Sequence, residues 1–591
     1  MGHNRNYSNL FYDYSIPTFF LDGNISITNK DIVIELGAGS FTLDYNILLH
    51  YHNVTLKGAG EGRTFLIINQ NIDYYDDSLI NLIGEEGDEI SVSISDLTIQ
   101  SNVTQQQANS RNYKLTQNES FLIKCYHVKS FEMRNVTINV ENIETTCLNI
   151  RRGFNIEIRD CTFINYNRRC TGGGIWLQGD LENITIEDND FYKYGNDEVI
   201  AVWGSNNFVG VNDADFISKK DINICYNRIY CQDANGGENA NSIITENGDD
   251  WDGNIRRFIT FYTNQDDNKE YNAVHEKVPR ATPCRYTLNG IHMNNNEIHL
   301  NSPLTRLITA SFDEYTTFKD VSFQNNIITY GTWAVESDSE SPLKELIDFS
   351  MEYTSDENLF SDEPFLIKGN TITCGSNVRN EYVNENIYKD NHMCANIRNA
   401  KVVFTNNLVK CTRGDYTTDE QSYGNKGIEM FRIGNTGGEV IFVNNRCEGI
   451  KGLATITSSV TNGIQKSRVK GINNYLYGDT RITHKNALES HELMIGNEII
   501  SDYPIFFDSG FAKKGTAIFT NNRVYRDLTR VTRFTTPYGH IYYGQDYDIV
   551  SVKLVCCDNI FDNLNQNAMY SYLHTNIRIK HANNVFTDLI E

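Results

Sequence analysis

Asn295-Asn296-Glu297-Ile298, and thirty residues later Asn325-Asn326-Ile327-Ile328, are two copies of one phrase: Asn-Asn or Asp-Asn leading, in its full form, into an apolar pair. The phrase returns as Asp188-Asn189-Asp190-Phe191, Tyr226-Asn227-Arg228-Ile229, Gly369-Asn370-Thr371-Ile372, Asn406-Asn407-Leu408-Val409 and Asn444-Asn445-Arg446-Cys447. Asn473-Asn474, Gly496-Asn497, Asn521-Asn522, Asp558-Asn559 and Asn583-Asn584 carry it to the end of the chain. Asp96-Leu97-Thr98-Ile99, Asn135-Val136-Thr137-Ile138 and Asp160-Cys161-Thr162-Phe163 fill the same slot earlier, with the second Asn replaced. Steps of 25, 28, 23, 25 and 25 residues separate 136 from 161, 161 from 189, 474 from 497, 497 from 522 and 559 from 584. A fixed period of this size marks a solenoid. Steps of 37 or 38, as from 189 to 227 and from 370 to 407, are one coil plus an insertion of about a dozen residues. The 69-residue step from 227 to 296 holds two coils or one large loop.

Alternating stretches lead into the phrase: Phe154-Asn155-Ile156-Glu157-Ile158 before Asp160, Ile184-Thr185-Ile186 before Asn189, Val402-Val403-Phe404 before Asn407. Period-2 alternation rich in Ile, Val and Phe is the pattern of strands. Asn suits a two-residue corner between strands because it enters the left-handed backbone region more readily than other non-glycine residues. Stacked corners also let Asn amides bond to the equivalent amides above and below. The expected fold is therefore all-β: a single-stranded right-handed parallel β-helix, a solenoid with loop insertions and an Asn ladder at one corner. With 12% aromatic residues and regular apolar strands, the Asn-rich stretches are not a disordered tract.

The periodic signal runs nearly end to end through 591 residues, so one solenoid accounts for a length that would otherwise suggest several domains. Stacking some 16 to 20 rungs would make a rod of roughly 75 to 95 Å. Only eight prolines interrupt it, as a body held by ladder hydrogen bonds requires. The net charge of −24 argues against a nucleic-acid partner, since phosphate binding needs a basic face. Thirteen cysteines without a CxxC pair, several of them inside strand or corner phrases (Cys161, Cys225, Cys447, Cys556), read as buried reduced thiols. No run of about 18 apolar residues is present, so no membrane insertion is expected. Residues 1–20 lack a basic segment followed by an apolar one and are not read as an export signal.

Near the start, Ile34-Glu35-Leu36-Gly37-Ala38-Gly39-Ser40-Phe41-Thr42-Leu43 is followed by Val54-Thr55-Leu56-Lys57-Gly58-Ala59-Gly60-Glu61-Gly62-Arg63-Thr64-Phe65-Leu66-Ile67. An apolar strand, a Gly-Ser-Phe turn and a Gly-rich turn before Thr-apolar-apolar resembles the opening rungs of the pectate lyase-like right-handed β-helix superfamily. The resemblance extends through the Asn repeats. It implies the fold rather than a reaction, since that superfamily includes lyases, hydrolases, epimerases, phage tailspikes and non-catalytic binders. Residues 1–30, with Tyr7, Phe11, Tyr12, Tyr14, Phe19 and Phe20, are expected to cap the first rung of a helix spanning 31–591. Large insertions are expected near 205–220, 232–285 and 331–364. The last includes an acidic stretch from Glu336 to Glu363, expected to project as a long loop or short helix.

The window from about 150 to 260 concentrates the chemistry. It holds Trp176, Trp203 and Trp251, the pairs Arg151-Arg152, Arg168-Arg169 and Arg256-Arg257, and a run of acids. Aromatic faces stack on sugar C–H faces, guanidiniums hold acidic substituents, and carboxylates serve as acid, base or calcium ligand. Trp176, Trp203, Trp251, Arg152, Arg168 and Arg169 are the candidate substrate-binding residues. Gly172-Gly173-Gly174-Ile175-Trp176 and Gly195-Asn196-Asp197-Glu198-Val199-Ile200-Ala201 follow the order of a polygalacturonase-like core, which the resemblance would make a hydrolytic centre. Asp197 and Glu198 match its acid pair, and with Asp188 they are the candidate catalytic residues. The earlier phrase carries no carboxylate and no Gly-His-Gly follows, so an exposed acidic corner is the competing reading. A lyase would draw instead on Arg152, Arg168, Arg169, Lys193 or His127. Asp249, Asp250 and Asp252 around Gly253 are the candidate Ca²⁺ ligands, without a full EF-hand pattern; no other cofactor is called for.

The expected function is that of a carbohydrate-binding β-helix, tailspike-like, that binds or depolymerises a bacterial surface polysaccharide as a virion-borne homotrimer. The alternatives are a secreted polysaccharide lyase or glycoside hydrolase, and a non-catalytic structural or adhesive subunit.

Overall fold

The computed structural model describes residues 24–27, 30–43, 47–68, 78–102, 121–140, 145–165, 173–193, 198–203, 216–232, 256–262, 269–271, 277–279, 285–301, 305–312, 316–331, 344–351, 363–375, 392–411, 428–434, 437–457, 466–478, 480, 482–485, 489–501, 507–508, 514–526, 541–542, 551–562, 570–571 and 577–587. Among these, 43 strands join into one continuous sheet, in which the strands of each interior coil pair in parallel with strands of the coils before and after. Ile175–Glu187 shows the plan. Its residues 175–178 lie parallel to 148–151 and 200–203, while residues 181–187 lie parallel to 219–225. After the corner at Asp188-Asn189, Asp190–Lys193 runs parallel to Thr162–Asn165 and to residues 228–231. The chain thus winds through three columns of stacked strands: a first column ending at the Asn corner, a short second column after it, and a third leading into the next coil. This is the parallel β-helix expected from the repeats.

Alternation decides what fills the coil. Phe163, Phe191, Ile229, Ile298, Ile328, Ile372, Val409, Cys447, Leu476, Ile499, Val524 and Phe561 form one register-matched row of the second column, and all are buried. Each stands two residues after the second corner residue. The residue between them faces out, even where it is apolar: Ile327 is 56% exposed and Ile560 40%. Only the second member of the apolar pair belongs to the core, because side chains on a strand alternate between faces. Interior rings stack between rungs, as in Phe163 on Phe191, 4.9 Å between centroids and 6° from parallel.

The corner itself is built as the residue types suggest. Its first residue has positive φ, between 51° and 58° at Asp160, Asp188, Tyr226, Asn295, Asn325, Asn406, Asn444, Asn473, Asn521, Asp558 and Asn583. Glycine occupies the slot at Gly369 (φ 68°) and Gly496 (φ 67°), where it meets the same demand without a Cβ. From Asn189 onward the second residue is an Asn whose side chain turns inward. Asn407, for example, donates from Nδ2 to Asn445 Oδ1 at 3.1 Å and to the Ile367 carbonyl at 3.0 Å. Its Oδ1 accepts both the backbone N–H (2.9 Å) and Nδ2 (3.0 Å) of Asn370. The same bonds link Asn189, Asn227, Asn296, Asn326, Asn370, Asn407, Asn445, Asn474, Asn497, Asn522, Asn559 and Asn584 without a break.

The 69-residue step is a single coil. Phe216–Cys225 pairs directly with Arg285–Asn294, so the intervening chain makes one large excursion. That excursion returns to the body as Arg256–Tyr262, a third-column strand, and also carries a small antiparallel hairpin of Lys269–Tyr271 with Lys277–Pro279. The insertions near 205–220, 232–285 and 331–364 are therefore not loops throughout. Within the acidic stretch from 336 to 363 the described residues Lys344–Met351 form a strand of the third column, paired with Thr305–Phe312. Its charges concealed a strand because a strand needs apolar residues only on the face that meets the core. At the N-terminal end Asn24–Ile27 runs antiparallel to Asp31–Glu35 and covers that edge of the first rung, and residues 1–23 lie outside the described set.

Cys125, Cys161, Cys394 and Cys447 are buried thiols. Burial pushes Cys161 and Cys394 up to about 12. Alkylation of the native protein at pH 8 should leave both unmodified, and denaturant should expose them; rapid native labelling at either position would contradict this. Replacing Asn407 by Ala strips the Asn370 N–H and amide of their buried acceptor and should cost about 3 kcal/mol. Asn406→Gly, in the left-handed slot, should change stability by less than about 1 kcal/mol. Urea unfolding midpoints of the two variants compare them directly.

Candidate functional site

The outer faces of the three columns differ in kind. On the first column the outward residues form an exposed charge lattice: Glu157 accepts from Arg134 at 2.8 Å and forms an ion pair with Arg159 at 2.6 Å, and Arg159 pairs with Glu187 at 2.9 Å. On the second, Arg228 grips Asp190 with two bonds of 2.6 and 2.7 Å. Exposed pairs of this kind contribute little energy and keep a stacked surface from repelling itself.

The third column faces outward with residues of another sort. Ile80 and Leu82 line the interior of the coil, so alternation turns Asn81 outward. Register then carries the outward row from Asn81 to Lys124, Asn149 and Trp176 on successive rungs. These four are only 2%, 4%, 0% and 3% exposed. Phe121, Trp176 and Ala201, with Trp203 against them, form a cluster separate from the main core. The Trp176 and Trp203 rings stack at 4.7 Å and 28°, and Phe121 meets Trp176 edge-on at 5.5 Å.

A polar network lies against the rings. Asn149 donates to Gln178 Oε1 at 3.0 Å and accepts from Arg151 Nε at 2.9 Å, while Arg151 Nη1 donates to the Tyr126 hydroxyl at 3.3 Å. The Arg151 guanidinium lies 5.7 Å from the Phe121 centroid and 5.5 Å from that of Tyr126, and Lys124 Nζ lies 5.8 and 5.2 Å from the same two. Cations over ring faces and carboxamides locked by one another make a preorganised buried cluster. Two members keep unmet capacity. Both carboxamide atoms of Asn81 and the indole Nε1 of Trp176 are buried without a hydrogen-bond partner, a state that costs roughly 1–3 kcal/mol per group.

Of the residues singled out from sequence, Trp176 and Trp203 are brought into contact. Glu198 begins the third-column strand Glu198–Trp203, is 1% exposed, and accepts from Thr260 Oγ1 at 3.1 Å. It is therefore no exposed acidic corner. Asp188 stands at the Asn corner with φ 55°, its backbone N–H donating to the Cys225 carbonyl at 3.3 Å. The whole of Asp190–Lys193 separates Asp188 from the third column, so these two carboxylates do not share a site. Arg152 is held at the bend between the third and first columns, φ 55°, with Nη1 3.9 Å from Glu86. It neighbours His127 rather than the tryptophans. Asp197, Arg168, Arg169, Trp251 and the Asp249, Asp250, Asp252 group lie outside the described residues. Among the described residues no cluster of three or more metal-ligating side chains occurs.

Phe121, Lys124, Tyr126, Asn149, Gln178 and Asn81 escaped the sequence reading. Asn81, Lys124 and Asn149 share one row, Tyr126 and Gln178 another and Phe121 a third; the rows come together only once the third-column strands are in register, and insertions of varied length hide that register in the sequence.

No protein-family model and no curated protein matches the chain. Solved structures similar to it include DFA-IIIase from Arthrobacter chlorophenolicus A6 in complex with DFA-III, 10% identical, matched over 68% of this chain and 84% of that chain with a TM-score of 0.36. A complex of the same protein with GF2 matches at 10% identity over 68% and 85%, with a TM-score of 0.32. A likeness this distant carries no argument about activity; the fold rests on the strand register.

Burial first, and then the Arg152 charge, hold the His127 imidazole below its ordinary value, against an opposing pull from Glu86, Glu89 and Glu85. The unfolded chain therefore binds a proton that the folded one resists. The contribution of His127 to stability is complete above pH 6.5 and is lost as pH falls through its lowered folded value. Titration by NMR should place His127 below 6.5, and Arg152→Gln should move it upward; a midpoint unmoved by that substitution would remove Arg152 as a cause.

Proposed function

We propose that this protein is a polysaccharide-binding β-helix, tailspike-like in its biology, that takes a bacterial surface glycan on the outward face of its third column. The observation that carries the reading is the stacked Trp176–Trp203 pair beside the Asn149–Gln178–Arg151–Tyr126 network, off the main core. Rings supply apolar faces for sugar C–H groups, and fixed amides and guanidinium supply directional bonds to hydroxyls. The acidic chain, with a net charge of −24, is unsuited to nucleic acid. Part of the stabilisation on binding would come from pairing Asn81 and the Trp176 indole.

A second reading adds cleavage. Glu198, buried and bonded to Thr260 on a strand adjoining the Trp176 strand, is a carboxylate in position to exchange a proton with a bound glycan. Homotrimeric assembly belongs to the tailspike reading and is tested by light scattering on the purified chain: a trimer supports it and a monomer defeats it.

Titrating capsular and other bacterial polysaccharides against tryptophan fluorescence tests the first reading. At least one should quench or shift the emission, and Trp176→Ala and Trp203→Ala should each weaken its binding by roughly tenfold to a hundredfold. Unchanged affinity in both variants would move the site elsewhere. For the second reading, new reducing ends should form with the wild type and fall by at least about a hundredfold with Glu198→Gln; activity that survives the substitution removes Glu198 from the chemistry.

A further inference from the structure

The first residue of the Asn corner has to enter the left-handed region of the backbone, and coil after coil the residue there suits that demand. From Asp160 to Asn583 the slot holds Asn, Asp or Gly, with the single exception of Tyr226, at φ 56°. A bulky side chain is disfavoured in this position, because it gains no local hydrogen bond to offset the crowding of its Cβ. Nor does the ring add to the core: Tyr226 is 54% exposed. Strain beneath an exposed ring points to a use other than folding.

The adjoining outer face of the second column shows what the use is. Tyr230, on the strand that follows Tyr226, stacks between Tyr192 on the rung before and His299 on the rung after, with centroids 5.1 Å apart on both sides and planes within 10°. Asp190, Arg228 and Glu297 form the neighbouring outward row. Their charges already have partners: Arg228 is held by Asp190 at 2.6 and 2.7 Å, and Glu297 lies 2.9 Å from His299 Nε2. This row therefore offers an anion no unmatched cation. The four rings cover three rungs, about 10 Å along the coil, which is far less than the roughly 20 to 30 residues that each side of a stable protein interface contributes. Rings that carry hydroxyls match a small ligand with both C–H faces and hydroxyls of its own.

We propose that Tyr226 and the Tyr192–Tyr230–His299 stack form a second carbohydrate-contact site, at the corner between the first and second columns, for an uncharged stretch of the polysaccharide. The inference rests on the polysaccharide reading above and adds a contact on a different face of the coil from the tryptophans. Tyr226 gives a ring face to the sugar, and the stack gives phenol and imidazole groups, one rung apart, to its hydroxyls.

Tyr226→Asn tests the site, since it installs the residue that Asn295 and Asn325 place in the same slot on the following rungs. Its urea unfolding midpoint should lie at or above that of the wild type; a lower midpoint would show that the fold needs the ring and overturn the proposal. Binding is followed by calorimetry on the full chain, with short oligosaccharides cut from whichever polysaccharide perturbs the tryptophan emission. The wild type should take up a second oligosaccharide beyond the one that the tryptophans report. Tyr226→Asn should weaken that second binding at least about tenfold and leave the tryptophan titration unchanged. Both oligosaccharides bound as by the wild type would overturn the corner site while the tryptophan reading stands, and loss of both together overturns it as a separate site. Binding that survives Trp176→Ala and Trp203→Ala but is lost in Tyr226→Asn supports the corner site and defeats the tryptophan reading. A changed oligomeric state in Tyr226→Asn with carbohydrate binding intact assigns the rings to self-association and overturns the proposal. Binding confined to anionic oligosaccharides overturns the neutral class, and failure of the wild type to bind any polysaccharide overturns both sites.

Discussion

A buried corner carries backbone N–H groups and carbonyls that no sheet ladder can reach, and everything else in this protein depends on how those groups are paired. At the first corner the solution is a carboxamide used three ways. Each ladder Asn accepts two N–H groups from the rung before, and its own amide spans to the next rung and back to a carbonyl of an earlier one, as at Asn370. No other side chain of that length offers two donors and an acceptor in one plane. Because every Asn leans on the next, the corner transmits register: a one-residue slip in any first-column strand would break the chain of amides and turn the interior row outward.

Fixed register explains why the insertions are tolerated. A coil of 23 residues, from Asn474 to Asn497, and one of 69, from Asn227 to Asn296, present their corner amides at the same geometry, 3.0 Å in each case. The extra chain leaves and re-enters at other points of the coil. Arg256–Tyr262 and Lys344–Met351 both return as third-column strands after long excursions. The third column is thus the one interrupted by insertions, and it is also the one whose outward row is lined with rings, carboxamides and buried charges.

The electrostatic contrast between faces follows from stacking. Side chains one rung apart stand about 4.8 Å from each other, so like charges in a row are costly and opposite ones are paired. The first and second columns resolve this with exposed pairs such as Arg134–Glu157 and Arg228–Asp190. Along the third column the outward groups are buried and joined into networks, where each unmet donor or acceptor is far more expensive than on an open surface. Asn81 and Trp176 retain such atoms.

The sequence by itself determined the coil. The Asn phrase, its intervals and the alternation before it specify strand, corner and repeat, because each is a local property: left-handed backbone at Asn406 or Gly369, period-2 burial around Phe404, one coil per step. It also singled out Trp176 and Trp203, since tryptophan is rare enough to stand out in a chain that has four. Only the tertiary structure decided which residues share a face. Lys124, Asn149 and Trp176 are adjacent although 25 and 27 residues apart, and Thr309 meets Asp348 across 39. No fixed spacing announces these neighbours, because the insertions differ from coil to coil. The same register that ignores those lengths assigned Asp188 to the scaffold and moved Glu198 from an exposed corner into the buried face.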